Sequence, residues 1–367
     1  MKKLISILGS TGSIGRTTLK IVHKKNSLIV DTLVANKNYN FICQQIIKHK
    51  PINFIVNDEI TYQKIKKKFT NSKTNIINKF SDLPKKNKKT DITISAIPGL
   101  SGLKPTLDFI GISKKILLAN KESVICGWNI LNKFAKKNKT LIIPIDSEHF
   151  SIQELAKNYK ESEIKKIYIT ASGGPFLNTP IKKFKFIKPK DAIKHPKWKM
   201  GKKISIDSAT LMNKVLELVE AYKIFPFKKN KYEIVIHPQS LVHAIIVFNN
   251  GITKFLYHQP DMIIPIANAI FNFKININDF LKKNSKNKNK PEDLKFLKVD
   301  RARYPIIKVI PKLNEYISTP IIINAANEIL IDLFLKKKIS FNSISDYVFK
   351  VLKDKNYKKY AIYKPSN

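Results

Sequence analysis

Residues 7–20 read ILGSTGSIGRTTLK, three glycines at regular spacing where a short apolar run gives way to a helical pattern. No other stretch limits the fold as strongly. A strand that turns directly into a helix opens a parallel sheet, because parallel neighbours need a long connection and a helix is the usual one. The alternation continues along the N-terminal part. Strand candidates are LISILG (4–9), LIVDTLVA (28–35), NFIVN (53–57), DITISAI (91–97), KILLA (115–119) and TLIIPI (140–145), with helical stretches among them.

The spacing of Gly9, Gly12 and Gly15 is a variant of the dinucleotide fingerprint. Small residues let the backbone approach a pyrophosphate, and the following helix offers free N–H groups and the positive end of its dipole. An NAD site carries an acidic residue about 20 positions on, where it meets the ribose 2′-hydroxyl. Here that position reads ANKN (35–38), with Lys37 and Asn38 and no carboxylate. Cationic and amide groups suit a 2′-phosphate, so NADPH is the expected cofactor.

From Asp146 the pattern changes. KKIYITA (165–171), YEIVIH (232–237) and VHAIIVF (242–248) predict a mixed sheet, with helices around 148–159 and 208–224. LKKNSKNKNKPED (281–293) is charged and poor in apolar residues, so it reads as a linker. STPIIINAANEILIDLFLKKKI (318–339) is helical in period. The expected fold class is α/β: a Rossmann-type parallel sheet over 1–145, a central α+β catalytic domain over 146–280, a linker at 281–299 and a small helical domain over 300–367.

The formal charge of +41 invites a nucleic-acid reading. The distribution argues against it. The only arginines are Arg16, Arg301 and Arg303, and the lysines are spread over the whole chain. A duplex reader would use the bidentate fork of arginine, so no specific nucleic-acid partner is expected. Two cysteines, Cys43 and Cys126, offer no metal-cluster spacing and fit a reduced compartment. Neither has the surroundings of a nucleophile paired with a histidine, which argues against a semialdehyde-type dehydrogenase. No apolar run nears the ~18 residues of a membrane span. The opening apolar run LISIL (4–8) is also shorter than the ~7–15 residues of an export signal. A cytoplasmic protein is expected.

LIIPIDSEH (141–149) ends a strand candidate in two carboxylates, Asp146 and Glu148, flanking Ser147. Like charges so close repel unless water, a proton or a cation relieves them. SIDSATLMNKVLELVEAY (205–222) reads as a strand end running into a helix whose apolar face is Leu211, Val215, Leu218 and Tyr222. Asn213 and Glu217, with Lys214 beside them, point the other way. Glu217 is the expected third ligand of a hard cation, Mg²⁺ or Mn²⁺ with Co²⁺ as a further candidate, which would leave positions for substrate oxygens. TASGGPF (170–176) is a small-residue turn able to bring Ser172 and backbone N–H groups to an anion. HPKWKMGKK (195–203) has the composition of a lid closing on ligand or, equally, of a loop that Trp198 anchors to the core, and IHPQSLVH (236–243) supplies His237 and His243, read as structural.

GSTGSIG, LLANKES, PIDSEH, SGGPF, HPKWKMG, DSATLMNKVLELVEA, IHPQSLVH, QPDM and NAANE occur in one order from residue 9 to 328. This set strongly resembles the 1-deoxy-D-xylulose 5-phosphate reductoisomerase family. The resemblance implies NADPH contacts at Thr11, Gly12, Ser13, Ile14, Lys37, Asn38, Asn120, Glu122 and Gly201. It implies substrate contacts at Lys121, Ser147, Ser172, His195, Ser208, Asn213 and Lys214, and metal ligation by Asp146, Glu148 and Glu217, with Glu148 a candidate base. It also implies a homodimer and a mobile lid at 195–201 whose Trp198 covers the sugar phosphate. The implied reaction is rearrangement and NADPH-dependent reduction of deoxyxylulose phosphate to 2-C-methyl-D-erythritol 4-phosphate, in non-mevalonate isoprenoid synthesis. Asn36, Ala171 and Val215 each stand where the family typically has glycine, and the C-terminal end looks shortened against it.

Overall fold

The computed structural model describes residues 2–84, 88–198, 200–281 and 293–364. Contacts divide the chain into two compact units. The first holds the residues up to Ser123, then Gly127–Asp146, then those from Met262 to the undescribed stretch.

Its sheet has seven strands, all parallel: β1 (Lys3–Leu8), β2 (Leu28–Ala35), β3 (Asn53–Val56), β4 (Asn75–Ile77), β5 (Thr90–Ser95), β6 (Ser113–Leu118) and β7 (Leu141–Pro144). The spatial order is β4-β3-β2-β1-β5-β6-β7. Strands buried on both faces read as unbroken apolar runs, and every residue of β2 but Ile29 is buried. The helices are α1 (Ser13–His23), α2 (Tyr39–His49), α3 (Glu59–Lys68), α4 (Leu103–Gly111) and α5 (Lys121–Lys137). Leu19 and Ile21 of α1 and Ile42 and Ile46 of α2 join Ile5, Ile7 and Leu33 of the sheet in one core. The strand order reverses at β1, whose neighbours are β2 and β5. Ligands of such sheets bind beyond the carboxyl ends of the strands at that switch point, where the glycine turn lies.

One boundary differs from expectation. The Ile263–Phe271 helix, assigned above to the central domain, places Ile263, Ile266, Ala267 and Ile270 in the core of the first unit. Its apolar face needs cover that α1 and the sheet provide, and Lys115 Nζ reaches Asn272 Oδ1 at 2.8 Å.

The second unit carries α6 (Ser147–Ala156), β8 (Ile164–Ala171), α7 (Pro189–Ala192), α8 (Lys202–Thr210), α9 (Met212–Ile224), β9 (Tyr232–Ile236), β10 (Val242–Phe248) and β11 (Thr253–Tyr257). The sheet order is β11-β10-β8-β9; β8 and β9 run parallel and the other pairs antiparallel. Helices Thr319–Leu335 and Phe341–Val351 follow. They share one apolar core with α8 and α9, so the C-terminal helices belong to this unit and not to a separate body.

Two corrections follow from this packing. Residues 202–210 are helical, so SIDSATL is not a strand end; two helices meet at Leu211, whose φ of 69° is left-handed. Nor is α9 amphipathic in its surroundings. Leu218 and Ala221 pack on the mixed sheet with α6, while Val215, Leu216 and Val219 pack on the C-terminal helices. Lys214, Glu217 and Glu220 are therefore buried, Glu217 at 1% exposure, while Asn213 and Lys223 are half-buried.

Of the expected linker 281–299, residues 282–292 lie outside the described residues. Beyond them the chain is held: Leu297 pairs with Ile236 by N–H···O bonds of 2.9 and 2.8 Å.

Candidate active site

The turn after β1 is built by its glycines. Gly9 has a φ of +83°, and a Cβ there would lie 2.6 Å from the Ala96 carbonyl oxygen. A Cβ on Gly15 would strike the Gly9 oxygen at 2.4 Å, because α1 starts hard against the turn. Gly12 is different: its Cβ would meet only the Gly9 oxygen, at 3.3 Å. It caps α1 without a side-chain hydrogen bond, so N–H groups of the first turn point outward. Thr11, Gly12, Ser13 and Ile14 are exposed or half-buried around it. This is an anion cradle, and it fits a dinucleotide pyrophosphate.

The remaining expected cofactor residues are spread more widely. Lys37 is exposed beside Asp58, with Nζ 3.7 Å from Oδ1, and Asn38 caps α2 by accepting from Phe41 N. Asn120 caps α5, accepts from Ser123 N at 2.5 Å and donates to the carbonyls of Ile97 and Gly99. Its amide thus ties the loop after β5 to the start of α5. Glu122 is buried in the first turn of α5, and Gly201 is the exposed N-cap of α8.

The three expected ligands converge. One carboxylate oxygen each from Asp146, Glu148 and Glu217 lies within 4.8 Å of the others. Asp146 ends the β7 connection and Glu148 opens α6, so chain connectivity alone sets that pair; Glu217 arrives from α9. Charge balance comes from lysines. Lys214 Nζ bridges Glu148 and Glu217, at 2.7 Å from Glu217 Oε2, and Lys121 Nζ stands 3.7 Å from Asp146 Oδ2. Ser147 donates to Glu148 and Asn213 to Glu217, each at 2.5 Å. All-oxygen donors on a nearly buried, lysine-balanced cluster fit a hard divalent cation.

His149, the last residue of PIDSEH, is one to which the sequence assigns no role. It is fully buried, and its Nε2–H donates to the Glu217 carbonyl at 2.9 Å, tying α6 to α9 behind the carboxylates.

A second cluster surrounds Ser172. Its Oγ accepts from Gly174 N at 3.0 Å and lies 2.9 Å from His195 Nε2. The tautomer of His195 follows from its other side: Nδ1 accepts from Trp198 N at 2.9 Å, so the ring proton is on Nε2 and is donated to Ser172. Burial and the nearby Lys214 charge lower the His195 pKa to about 4, so the ring is neutral. Gly174, at a φ of +66°, lies so close to α8 that a Cβ would meet the Ser208 oxygen at 2.8 Å. The turn that follows Ser172 therefore packs against the backbone of α8 at Ser208. Trp198 is half-buried, edge-on to His243, which stacks on His258 with ring centroids 3.8 Å apart. Lys199 of the expected lid lies outside the described residues. Ala171 and Val215 fill the apolar core, and Asn36 is exposed.

Family models described as 1-deoxy-D-xylulose 5-phosphate reductoisomerase and its C-terminal domains match residues 5–127, 142–225 and 258–364. The enzyme of that name from Pelagibacter ubique is 46% identical over 100% of this chain and 95% of its own length. The chain belongs to the 1-deoxy-D-xylulose 5-phosphate reductoisomerase family. The Buchnera aphidicola member is 40% identical over 94% of this chain and 90% of its own. Among solved structures, a family member in complex with NADPH, fosmidomycin and magnesium superposes with a TM-score of 0.87 at 33% identity, covering 97% of this chain and 90% of that one. The Zymomonas mobilis enzyme in complex with NADPH gives 0.86 at 30% identity, covering 100% and 94%. The α/β fold class expected above, a parallel N-terminal sheet followed by a second sheet and C-terminal helices, is the one these structures share.

Proposed function

We propose that this chain converts 1-deoxy-D-xylulose 5-phosphate to 2-C-methyl-D-erythritol 4-phosphate, using NADPH and a divalent metal ion. The observation that carries the reading is the convergence of Asp146, Glu148 and Glu217 within 4.8 Å. Three acidic side chains gather in a nearly buried place at a large electrostatic cost, which a divalent cation offsets. When bound, the cation supplies Lewis acidity towards substrate oxygens and NADPH supplies the hydride.

The chain's own groups do the rest. Thr11–Ile14 hold the dinucleotide pyrophosphate at the start of α1, Lys37 and Asn38 face its 2′-phosphate, and Asn120, Glu122 and Gly201 complete the contacts. Ser172, Ser208, Asn213 and Lys214 grip the substrate phosphate. Because Ser172 Oγ already accepts two N–H groups, its own O–H is the group it has to give an anion. Neutral His195 orients that hydroxyl, and its Nδ1 holds the backbone of Trp198, so the lid and the phosphate grip are linked through one ring. Closure of 195–201 over the sugar would exclude water. Lys121, beside Asp146, balances negative charge developing on the substrate, and Glu148 is the candidate base.

The reading extends to a homodimer in the cytoplasm. Both cysteines are free thiols, and among the described residues no helix is long and apolar enough to cross a membrane. The deciding experiment is incubation with deoxyxylulose phosphate, NADPH and Mg²⁺. NADPH oxidation should require both substrate and metal and stop on chelation. No metal-dependent oxidation would remove the proposal. Sedimentation at micromolar concentration tests the dimer.

A further inference from the structure

The segment after residue 300 reaches the two serine-bearing elements through side chains to which the sequence analysis gives no role, although one of them, Asn327, lies in the NAANE stretch (324–328). Tyr304, 1% exposed, donates its hydroxyl to the Gly173 carbonyl at 2.7 Å, one residue after Ser172. Arg303 Nη1 donates to the carbonyls of Phe176 and Thr179 at 2.8 and 2.6 Å, and its guanidinium lies over the Phe184 ring. On α8, Asp207 is 1% exposed and directly precedes Ser208; it accepts from Asn327 Nδ2 at 2.6 Å. Asn327 is fully buried on the Thr319–Leu335 helix.

Physical chemistry gives these bonds a purpose. Gly173 and Gly174 have φ of +81° and +66°, a conformation that glycine adopts but does not itself hold, since it loses more freedom on ordering than any other residue. A buried carboxylate such as Asp207 is costly unless compensated; Lys203, at 3.7 Å, lies on the same helix, whereas Asn327 ties the carboxylate to another element and so bears on where α8 sits. Anion affinity depends on donors that are already in place before the anion arrives.

We propose that Tyr304 and Asn327 are positioning residues for phosphate affinity: they fix the Ser172 turn and the Ser208 helix in register without touching the ligand. The inference rests on the reading that Ser172 and Ser208 face the substrate phosphate.

The test compares Tyr304→Phe and Asn327→Ala with a control, Tyr357→Phe. The control removes a buried hydroxyl that contacts Thr319 at 2.5 Å in the same helical region, away from both serines. Inorganic phosphate is titrated calorimetrically into each full-length protein, and KM, kcat and NADPH affinity are measured beside it. Both positioning variants should bind phosphate about tenfold more weakly, the loss that one net hydrogen bond represents. KM for the sugar phosphate should rise by the same factor with kcat changed less, and NADPH affinity should stay constant. The control should stay within about twofold. Unchanged phosphate affinity, an equal loss in the control, a parallel fall in NADPH affinity, or unfolding of both variants would each overturn the proposal, as would a wild-type protein that binds no phosphate. A wild-type protein that binds phosphate yet does not turn over deoxyxylulose phosphate would instead sink the proposed function, and the phosphate titration would still read this inference.

Discussion

Lys214 Nζ stands 2.7 Å from Glu217 Oε2, three residues along the same helix, and also ion-pairs Glu148 of α6. One ammonium thus bridges two nearly buried carboxylates that approach from different elements. Removing one partner of a buried ion pair costs about 3–5 kcal/mol, because the remaining charge is left uncompensated. Lys214→Met should therefore lower the melting temperature markedly in the absence of divalent ions. Mg²⁺ or Mn²⁺ should restore more stability to the variant than to the wild type, since the cation takes over the charge balance. A thermal melt with and without Mn²⁺ checks this. Equal metal-induced shifts in both proteins would mean that the carboxylates hold no cation.

Glu217→Gln isolates the metal role from the nucleotide role. Glu217 comes from α9 in the second unit, whereas the glycine turn lies in the first. The substitution should cut turnover by more than the ~100-fold that loss of an outer-shell metal partner costs. NADPH affinity, read by the quenching of protein fluorescence, should remain at the wild-type value. A well-folded variant that no longer binds NADPH would show that the two sites are wrongly assigned.

What could be read from residue order alone depended on how local the cause was. β2 and β10 were expected at their observed bounds, since a strand buried along most of its length reads as an apolar run. β4 is three residues long, and β11 alternates exposed and half-buried positions at a sheet edge, so neither leaves such a run. The helix of 202–210 was misread because KISID has the branched residues of a strand; Ser205, Ile206 and Ala209 are buried against tertiary neighbours that no local pattern reports. The carboxylates of the site were legible because acidic groups placed next to apolar runs demand an explanation. The roles of Tyr304 and of Asn327, although the latter lies in NAANE, were not, because each acts on a partner more than a hundred residues away along the chain. His149 was passed over for the same reason, its bond being to a backbone carbonyl of α9.

The glycine turn predicts two different outcomes for one kind of substitution. Gly15→Ala places a Cβ 2.4 Å from the Gly9 oxygen and 2.6 Å from the Ser10 Cα, both backbone atoms that cannot swing aside. It should destabilise the protein by about 1–3 kcal/mol, the usual range for overpacking. Gly12→Ala meets only one atom, at 3.3 Å, in an extended conformation that alanine adopts freely. Its unfolding free energy should stay within about 0.5 kcal/mol of wild type, yet NADPH should bind at least tenfold more weakly, because the methyl group occupies the approach to the helix N–H groups. Denaturant melts and NADPH titrations separate the two effects. Normal NADPH affinity in Gly12→Ala would place the pyrophosphate elsewhere.

His195 predicts the acid behaviour of the lid. Desolvation first, and the Lys214 charge second, disfavour the imidazolium and bring its pKa down from 6.5 to about 4. The sign follows from which state binds the proton. Between pH 6.5 and 4 the unfolded chain takes up a proton at this residue and the folded chain does not, so its contribution to stability is present in full above pH 6.5 and shrinks as pH falls towards 4. Near pH 4 the folded protein protonates Nδ1, the atom that accepts from Trp198 N, and that bond is lost. The chain has two tryptophans, so in a Trp128→Phe background the emission reports on Trp198 alone. Its wavelength should be constant from about pH 8 to pH 5 and move to the red around pH 4 as the residue is released. His195→Asn in the same background should lack that step. A transition centred near pH 6.5 would mean that the imidazole is solvated and does not tie Trp198 to Ser172.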